Sequence, residues 1–273
     1  MVAFLFWNIN KNKATLPLIA DIGELYSIDI ILLAECTIEP GELLSQLNHG
    51  RDNKYFYFGF SRCEKIVVLT RFNEASFIRP VAESSRVTIR HLQMPGLIDI
   101  LIAGTHHISK NHSSPTSQYS MAEELSRLIK DAEKNVGHSR TVLVGDLNMN
   151  PFEEGLVSAG ALHAVSSQQI ALRNTRKVQG TEYPFFYNPM WNFLADVHAD
   201  PPGTYYYCAS DHMSYFWNVF DQVLIRPDLI NRFAFQNLKR LLEIGTTSLL
   251  SGKGIPRKNV YSDHLPIIFS LDL

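Results

Sequence analysis

Short apolar runs alternate with amphipathic stretches from one end of the chain to the other. Residues 2–7 are a short apolar run and residues 28–33 a run rich in β-branched side chains, and both predict buried strands. Between them Leu16, Ile19, Ala20 and Gly23 recur at helical spacing. Residues 55–60 and 65–69 predict two further strands with Ser61-Arg62 as their turn. Residues 86–92 and 97–105 predict a hairpin across Met94-Pro95-Gly96, because proline and glycine punctuate turns. Ser114-Pro115 predicts a capped helix start, after which Met121, Leu125, Leu128, Ile129 and Ala132 share one face. Residues 141–144 form a strand that runs out at Gly145-Asp146, and 204–208, 219–225 and 265–271 are later strands.

Strands occur in both halves, and no repeat or low-complexity linker interrupts them, so one domain over residues 1–273 is expected. Residues 166–183 and 250–261 read as long loops. Arg173, Arg176 and Lys177 make the first basic; Lys253, Arg257 and Lys258 do the same for the second. Such loops are either solvated surface or contacts to an anionic substrate. The aromatic run 185–191 reads as core packing or as a wall on which a base, sugar or lipid stacks.

Composition narrows the class without choosing a function. Of 273 residues, 45% are hydrophobic and 19% charged, as in a globular protein with a sizeable core. The net charge of −2 excludes a protein that coats nucleic acid by bulk electrostatics. It does not exclude a nuclease, because a divalent cation can supply positive charge where the phosphate sits. Cys36, Cys63 and Cys208 are far apart with no CxxC pair, which predicts neither a zinc ribbon nor a disulfide framework and fits the cytoplasm. The opening MVAFLFWNIN has no basic leader and too short an apolar stretch to span a membrane.

Four segments carry the candidate chemistry: FWNIN at 6–10, IILLAE at 30–35, VLVGDLNMNP at 142–151 and YSDHLP at 261–266. In each, an acid, amide or imidazole stands at or beside an apolar run. A charge at the end of a buried strand is unfavourable unless paired, hydrogen-bonded or metal-bound. Oxygen donors such as Glu35 and Asp263 suit Mg2+ or Mn2+, hard ions that accept phosphate oxygens.

WNIN, LLAEC, GTHHIS, GDLNMNP, FDQVL and YSDHLPI, in that order, resemble the signature of the endonuclease/exonuclease/phosphatase superfamily. The resemblance runs from Asn8 to His264. It implies a four-layer α/β/β/α sandwich, deoxyribonuclease I-like. It also implies a Mg2+-dependent phosphodiesterase that acts on nucleic acid or another phosphodiester. Carried over residue by residue, Glu35 would be the principal metal ligand, with Asp263 beside the metal. Asn8 and Asn10 would complete the metal and phosphate environment; many relatives carry Asp where this chain has Asn10. Asp146 would orient or deprotonate the attacking water, Asn148 would hold a phosphate oxygen, and His264 would contact the phosphoryl group while Asp221 orients its imidazole.

Within GTHHISK, His106 and His107 point to opposite faces of a strand, so one of them can enter the site. The register against the family favours His106 as the second active-site histidine. Arg86 resembles an arginine that contacts phosphate in some relatives, and equally an ordinary strand arginine. Thr204 matches a position where a hydroxyl meets the phosphate backbone. Of two SDH triplets, Asp211-His212 is set aside as a loop pair, and Asp263-His264 fits the family order. Phosphomonoester or phospholipid head-group hydrolysis on the same core is the alternative activity. A silent binding module is the alternative class.

Overall fold

The computed structural model describes residues 1–273 other than 53, 60, 196–199, 209 and 211. Two sheets form its centre. The first places β1 (Val2–Asn8) between β2 (Ile30–Ala34) and the terminal strand Ile267–Leu271, with β3 (Ile66–Thr70) and Lys239–Arg240 on its edges. The second runs β4 (Ile78–Glu83), β5 (Val87–Leu92), β6 (Ile100–His106), β7 (Thr141–Asp146), then Asp221–Ile225, Phe186–Tyr187 and Ala164–Val165.

Alternation along each strand explains the layering, since successive side chains point to opposite faces. Phe4, Phe6, Ile30 and Leu32 turn inward to meet Ile100, Ile102, Val142, Val144 and Val223 of the facing sheet. Leu5, Trp7, Ile31 and Leu33 turn outward, onto the helices α1 (Leu16–Leu25) and α2 (Pro40–Asn48). On the other side, Leu101, Ala103, Leu143 and Leu224 receive Ala122, Leu125 and Ile129 of α3 (Pro115–Val136). Helix, sheet, sheet, helix: the four-layer sandwich expected from the resemblance is the observed fold. Each large apolar side chain buried in these layers contributes roughly 1.5–3 kcal/mol.

The α3 helix starts as its sequence requires. Ser114 Oγ accepts the Ser117 N–H, Pro115 occupies the first turn, and Gly137 ends the helix at φ +80°. Residues 55–60 depart from expectation. Described residues there form one isolated bridge, Phe56 to Thr70, instead of a strand, while the buried Tyr55 hydroxyl donates to the Ile28 carbonyl at 2.6 Å; residue 60 lies outside the described residues. The expected loop 166–183 contains a helical turn, Gln168–Ala171, and a hairpin, Thr175–Val178 with Thr181–Pro184. Its turn is Gln179-Gly180, both at positive φ, and Arg176 and Lys177 stand exposed on its first strand. The 185–191 run settles as core: Phe185, Phe186, Tyr187 and Met190 are buried. No described helix is long and apolar enough to cross a membrane.

At the end of the second sheet where β6 and β7 begin, Asp99 gathers His91 Nε2 at 2.9 Å, His138 Nε2 at 3.1 Å and the Arg140 guanidinium. Burial pushes the Asp99 carboxyl up, but the His91 and Arg140 hydrogen bonds outweigh it and hold the pKa at about 2. A carboxyl depressed in the folded state stabilises above its unfolded pKa, and that contribution fades between about pH 4 and about pH 2. With 29% of the side chain exposed, solvent screening trims the contribution to about 1 kcal/mol. Asp99→Asn is expected to lose that amount in urea unfolding at pH 7 and only a small part of it at pH 2; equal losses at both values would refute the linkage.

Candidate active site

Topology gathers the motif-bearing strand ends on one edge. β1 and β2 are parallel with Asn8 opposite Ala34, and β6 and β7 are parallel with His106 opposite Asp146. The antiparallel strand Asp221–Ile225 begins with Asp221 opposite Asp146. The terminal strand begins opposite Phe6, three residues after His264. Gly145 makes the β6–β7 approach possible: a Cβ there would lie 2.0 Å from the Thr105 carbonyl oxygen.

Asp146 is the centre of the cluster, 1% exposed. Its Oδ2 accepts from Asn8 Nδ2 at 2.9 Å, and its Oδ1 accepts from the Asn148 N–H at 2.9 Å. Two imidazoles face the same Oδ2, His106 Nε2 at 3.6 Å and His264 Nε2 at 3.8 Å. His264 Nδ1 is held by Asp221, 2.8 and 3.1 Å from its two carboxylate oxygens. Ser262 Oγ donates to the Asn8 carbonyl and accepts the His264 N–H, while Trp7 Nε1 donates to the His264 carbonyl. The histidine is thereby fixed to the end of β1.

Electrostatics separates the two imidazoles. Burial lowers the His106 pKa more than Asp146 and Glu35 raise it, so His106 is neutral near pH 7. Burial would also lower His264, but the Asp221 and Asp146 carboxylates outweigh it and lift the pKa to about 10. Tyr205, whose ring lies 4.6 Å from that of His264, stays a neutral phenol: burial, then the Asp263 and Asp146 charges, push it up to about 12.

Glu35 leaves the end of β2 at φ +49°, and Asn148 leaves β7 at φ +50°. Left-handed backbone is unfavourable for non-glycine residues and concentrates at functional sites. Both side chains line a cleft of about 420 Å³ with Asn10, His106, Asp146, Asp263 and His264.

The profile of the endonuclease/exonuclease/phosphatase family matches residues 5–264. The chain belongs to that family. Several solved structures share its fold at low identity. An AP endonuclease from Archaeoglobus fulgidus is 14% identical over 100% of both chains, with a TM-score of 0.58. A 3′ phosphatase from Neisseria, solved with a product DNA hairpin, is 14% identical over 100% of both chains, with a TM-score of 0.54. Caenorhabditis elegans TDP2 is 16% identical, covering 98% of this chain and 96% of its own, with a TM-score of 0.55. No curated protein matches the sequence.

This family member brings nine of the eleven sequence-selected residues to the cleft and its immediate support: Asn8, Asn10, Glu35, His106, Asp146, Asn148, Asp221, Asp263 and His264. Two fall elsewhere. Thr204 is fully buried and its Oγ1 accepts the Asp221 N–H at 3.2 Å, so it supports the dyad from beneath and is closed to substrate. Arg86 donates from Nη1 to the His106 carbonyl at 3.2 Å and lines a separate cavity of about 130 Å³ beside His107. As the strand geometry required, His107 is turned away from the cleft, and burial lowers its pKa to about 4. Asp211 lies outside the described residues.

The metal question turns on donor chemistry. No described donor is hydrogen-bonded to the Glu35 carboxylate; the neutral His106 imidazole lies beside it, with Nε2 3.6 Å from Oε1. A half-buried anionic oxygen with open lone pairs, sharing a cleft with Asp263 and the Asn10 amide, fits a hard cation. Asp146, Asp221 and His264 also converge closely, but His264 Nδ1 is occupied by Asp221 and all three are buried. Ser262, Trp7 and Tyr205 escaped the sequence reading in their supporting roles. Ser262 and Trp7 stood inside quoted motifs, but a hydroxyl or ring that holds another residue leaves no local periodic trace.

Proposed function

We propose that the protein is a phosphodiesterase dependent on a divalent cation, Mg2+ or Mn2+, acting on nucleic acid as one catalytic domain in the cytoplasm. The arrangement around Asp146 Oδ2 carries this reading: one buried carboxylate faces a neutral and a cationic imidazole at 3.6 and 3.8 Å. Groups whose environments drive their pKa values apart mark acid and base assignments.

Asp146 accepts the proton of the attacking water, with Asn8 and the Asn148 N–H fixing its two oxygens. The water oxygen bonds to phosphorus as the bond to the leaving oxygen breaks. His264, kept protonated by Asp221, donates from Nε2 to a non-bridging oxygen, where charge accumulates. Asn148 spends one amide N–H on the His107 carbonyl at 3.1 Å and has the other for a second phosphate oxygen. His106 is the second imidazole within reach of the phosphate or leaving oxygen. Glu35, with Asn10 and Asp263, would hold the cation, which when bound supplies positive charge against the phosphate oxygens.

The test is turnover of bis(p-nitrophenyl) phosphate and p-nitrophenyl phosphate with and without metal. EDTA should abolish diester cleavage and added Mg2+ restore it, while Glu35→Gln should need at least ~10-fold more Mg2+ for half-maximal rate. Faster monoester than diester cleavage would favour the phosphatase alternative. No turnover of either with Mg2+ or Mn2+ would leave a binding module.

A further inference from the structure

One wall of the cleft is aromatic and unusually exposed. Tyr205–Tyr207 pairs antiparallel with Phe216–Asn218 beside the catalytic centre, with Tyr205 against the His264 ring. Farther out, Tyr207 is 48% exposed, Tyr215 61% and Met213 82%, and all three line the cleft. Phe152 buttresses Tyr215 from behind, ring centroids 5.3 Å apart. Phe216, half exposed, holds φ +58°, a backbone state that a bulky side chain rarely adopts. The lining also includes a polar set, Ser109, Asn111 and Lys110, the last ion-paired with Glu153. Exposed aromatic side chains held in place without a packing partner on their outer face are unfavourable in water, and grouping them at a cleft marks a binding surface.

We infer that this rim stacks an unpaired base next to the scissile phosphate, so that the substrate class is single-stranded or frayed nucleic-acid ends. The inference rests on the phosphodiesterase reading and names its substrate. The lining matches the two halves of a nucleotide: the His264 imidazolium and the Asn148 amide for the phosphate, aromatic rings for the base. Bases in an intact duplex are stacked on one another, so their faces are closed to the rim; an unpaired base presents a free face, and stacking tolerates any of the four. A net charge of −2 limits what phosphate contacts alone contribute, which leaves a larger share of binding to stacking.

The experiment is fluorescence anisotropy with a fluorescein-labelled oligonucleotide presented single-stranded, as a blunt duplex, and single-stranded with one baseless nucleotide near the labelled end. Asp146→Asn protein with Mg2+ holds the substrate uncleaved. Single strand should bind at least ~10-fold more tightly than duplex. Tyr215→Ala should remove about that factor for the single strand alone, the baseless strand should lose the same factor without any substitution, and Tyr215→Phe should retain it. Tyr215 is surface-exposed, and an unchanged melting temperature shows that the fold persists. Equal affinity for single strand and duplex, or a Tyr215→Ala protein that keeps the parent preference, overturns the inference. Parent enzyme that binds single strands selectively but cleaves no phosphodiester defeats the activity reading and leaves the rim standing; cleavage indifferent to strandedness does the reverse.

Discussion

Asp146→Asn is expected to lower kcat by about 10³-fold with little change in KM. The substitution keeps the shape of a side chain that is 1% exposed and removes its charge and its capacity to take a proton. It also turns one acceptor into a donor. Asp146 Oδ2 now accepts from Asn8 Nδ2 and Oδ1 from the Asn148 N–H, so the new amide nitrogen must confront one of these donors. That mismatch destabilises by about 1–3 kcal/mol, since a buried donor is left without an acceptor. Single-turnover rates with a diester substrate, read beside urea unfolding, separate the two effects. A variant that unfolds normally and still turns over within ten-fold of the parent would remove Asp146 from the chemistry.

How much of this was legible in the sequence follows from where the information sits. The strand ends at Asn8, Glu35 and Asp146, and His264 just ahead of the last strand, were readable because each motif sets beside an apolar run a group that hydrocarbon surroundings do not tolerate alone. Their convergence was not readable from local pattern: it depends on β1 lying parallel to β2 and β6 parallel to β7, a property of the pairing. The resemblance supplied that step. Thr204 and Arg86 show its limit. A motif gives a residue type at a chain position, but whether the side chain meets substrate or a neighbour is decided by one strand register, and here Thr204 meets the Asp221 N–H and Arg86 the His106 carbonyl.

Aromatic composition left a different choice open. The dense run 185–191 signalled a stacking wall or a core, and burial of Phe185, Phe186 and Tyr187 makes it core. The exposed wall forms instead from Tyr207 and Tyr215, which stand on and beside a short hairpin whose register sets Tyr207 opposite Phe216, the residue after Tyr215. Hydrophobicity reports that a ring prefers to leave water, and a sheet interior and a substrate base satisfy that preference equally. Only the tertiary pairing separates the two.

Asp221→Asn tests the electrostatic half of the site. In the parent, the carboxylate 2.8 Å from His264 Nδ1 is the largest influence raising that imidazole, set against burial, which lowers it. Both partners are buried, and the Asp221 carboxyl is itself pushed up by burial and drawn down by His264, so the pair holds its proton through the neutral range. Removing the Asp221 charge leaves burial less opposed, with Asp146 the principal remaining counter-charge, and the imidazole releases its proton at lower pH. A group that must be protonated to donate to phosphate supports turnover below its pKa and loses it above. The parent should therefore keep its rate up to an alkaline limb near pH 10, the value given by His264. In Asp221→Asn that limb should move toward neutrality, with kcat at pH 8 down about 10²-fold and part of the loss recovered at pH 5.5. The amide can still accept from Nδ1–H through its oxygen, so orientation is largely preserved and the change in profile isolates charge from geometry. An Asp221→Asn enzyme with a uniformly lowered rate and the parent's pH limb would mean that Asp221 acts by positioning alone.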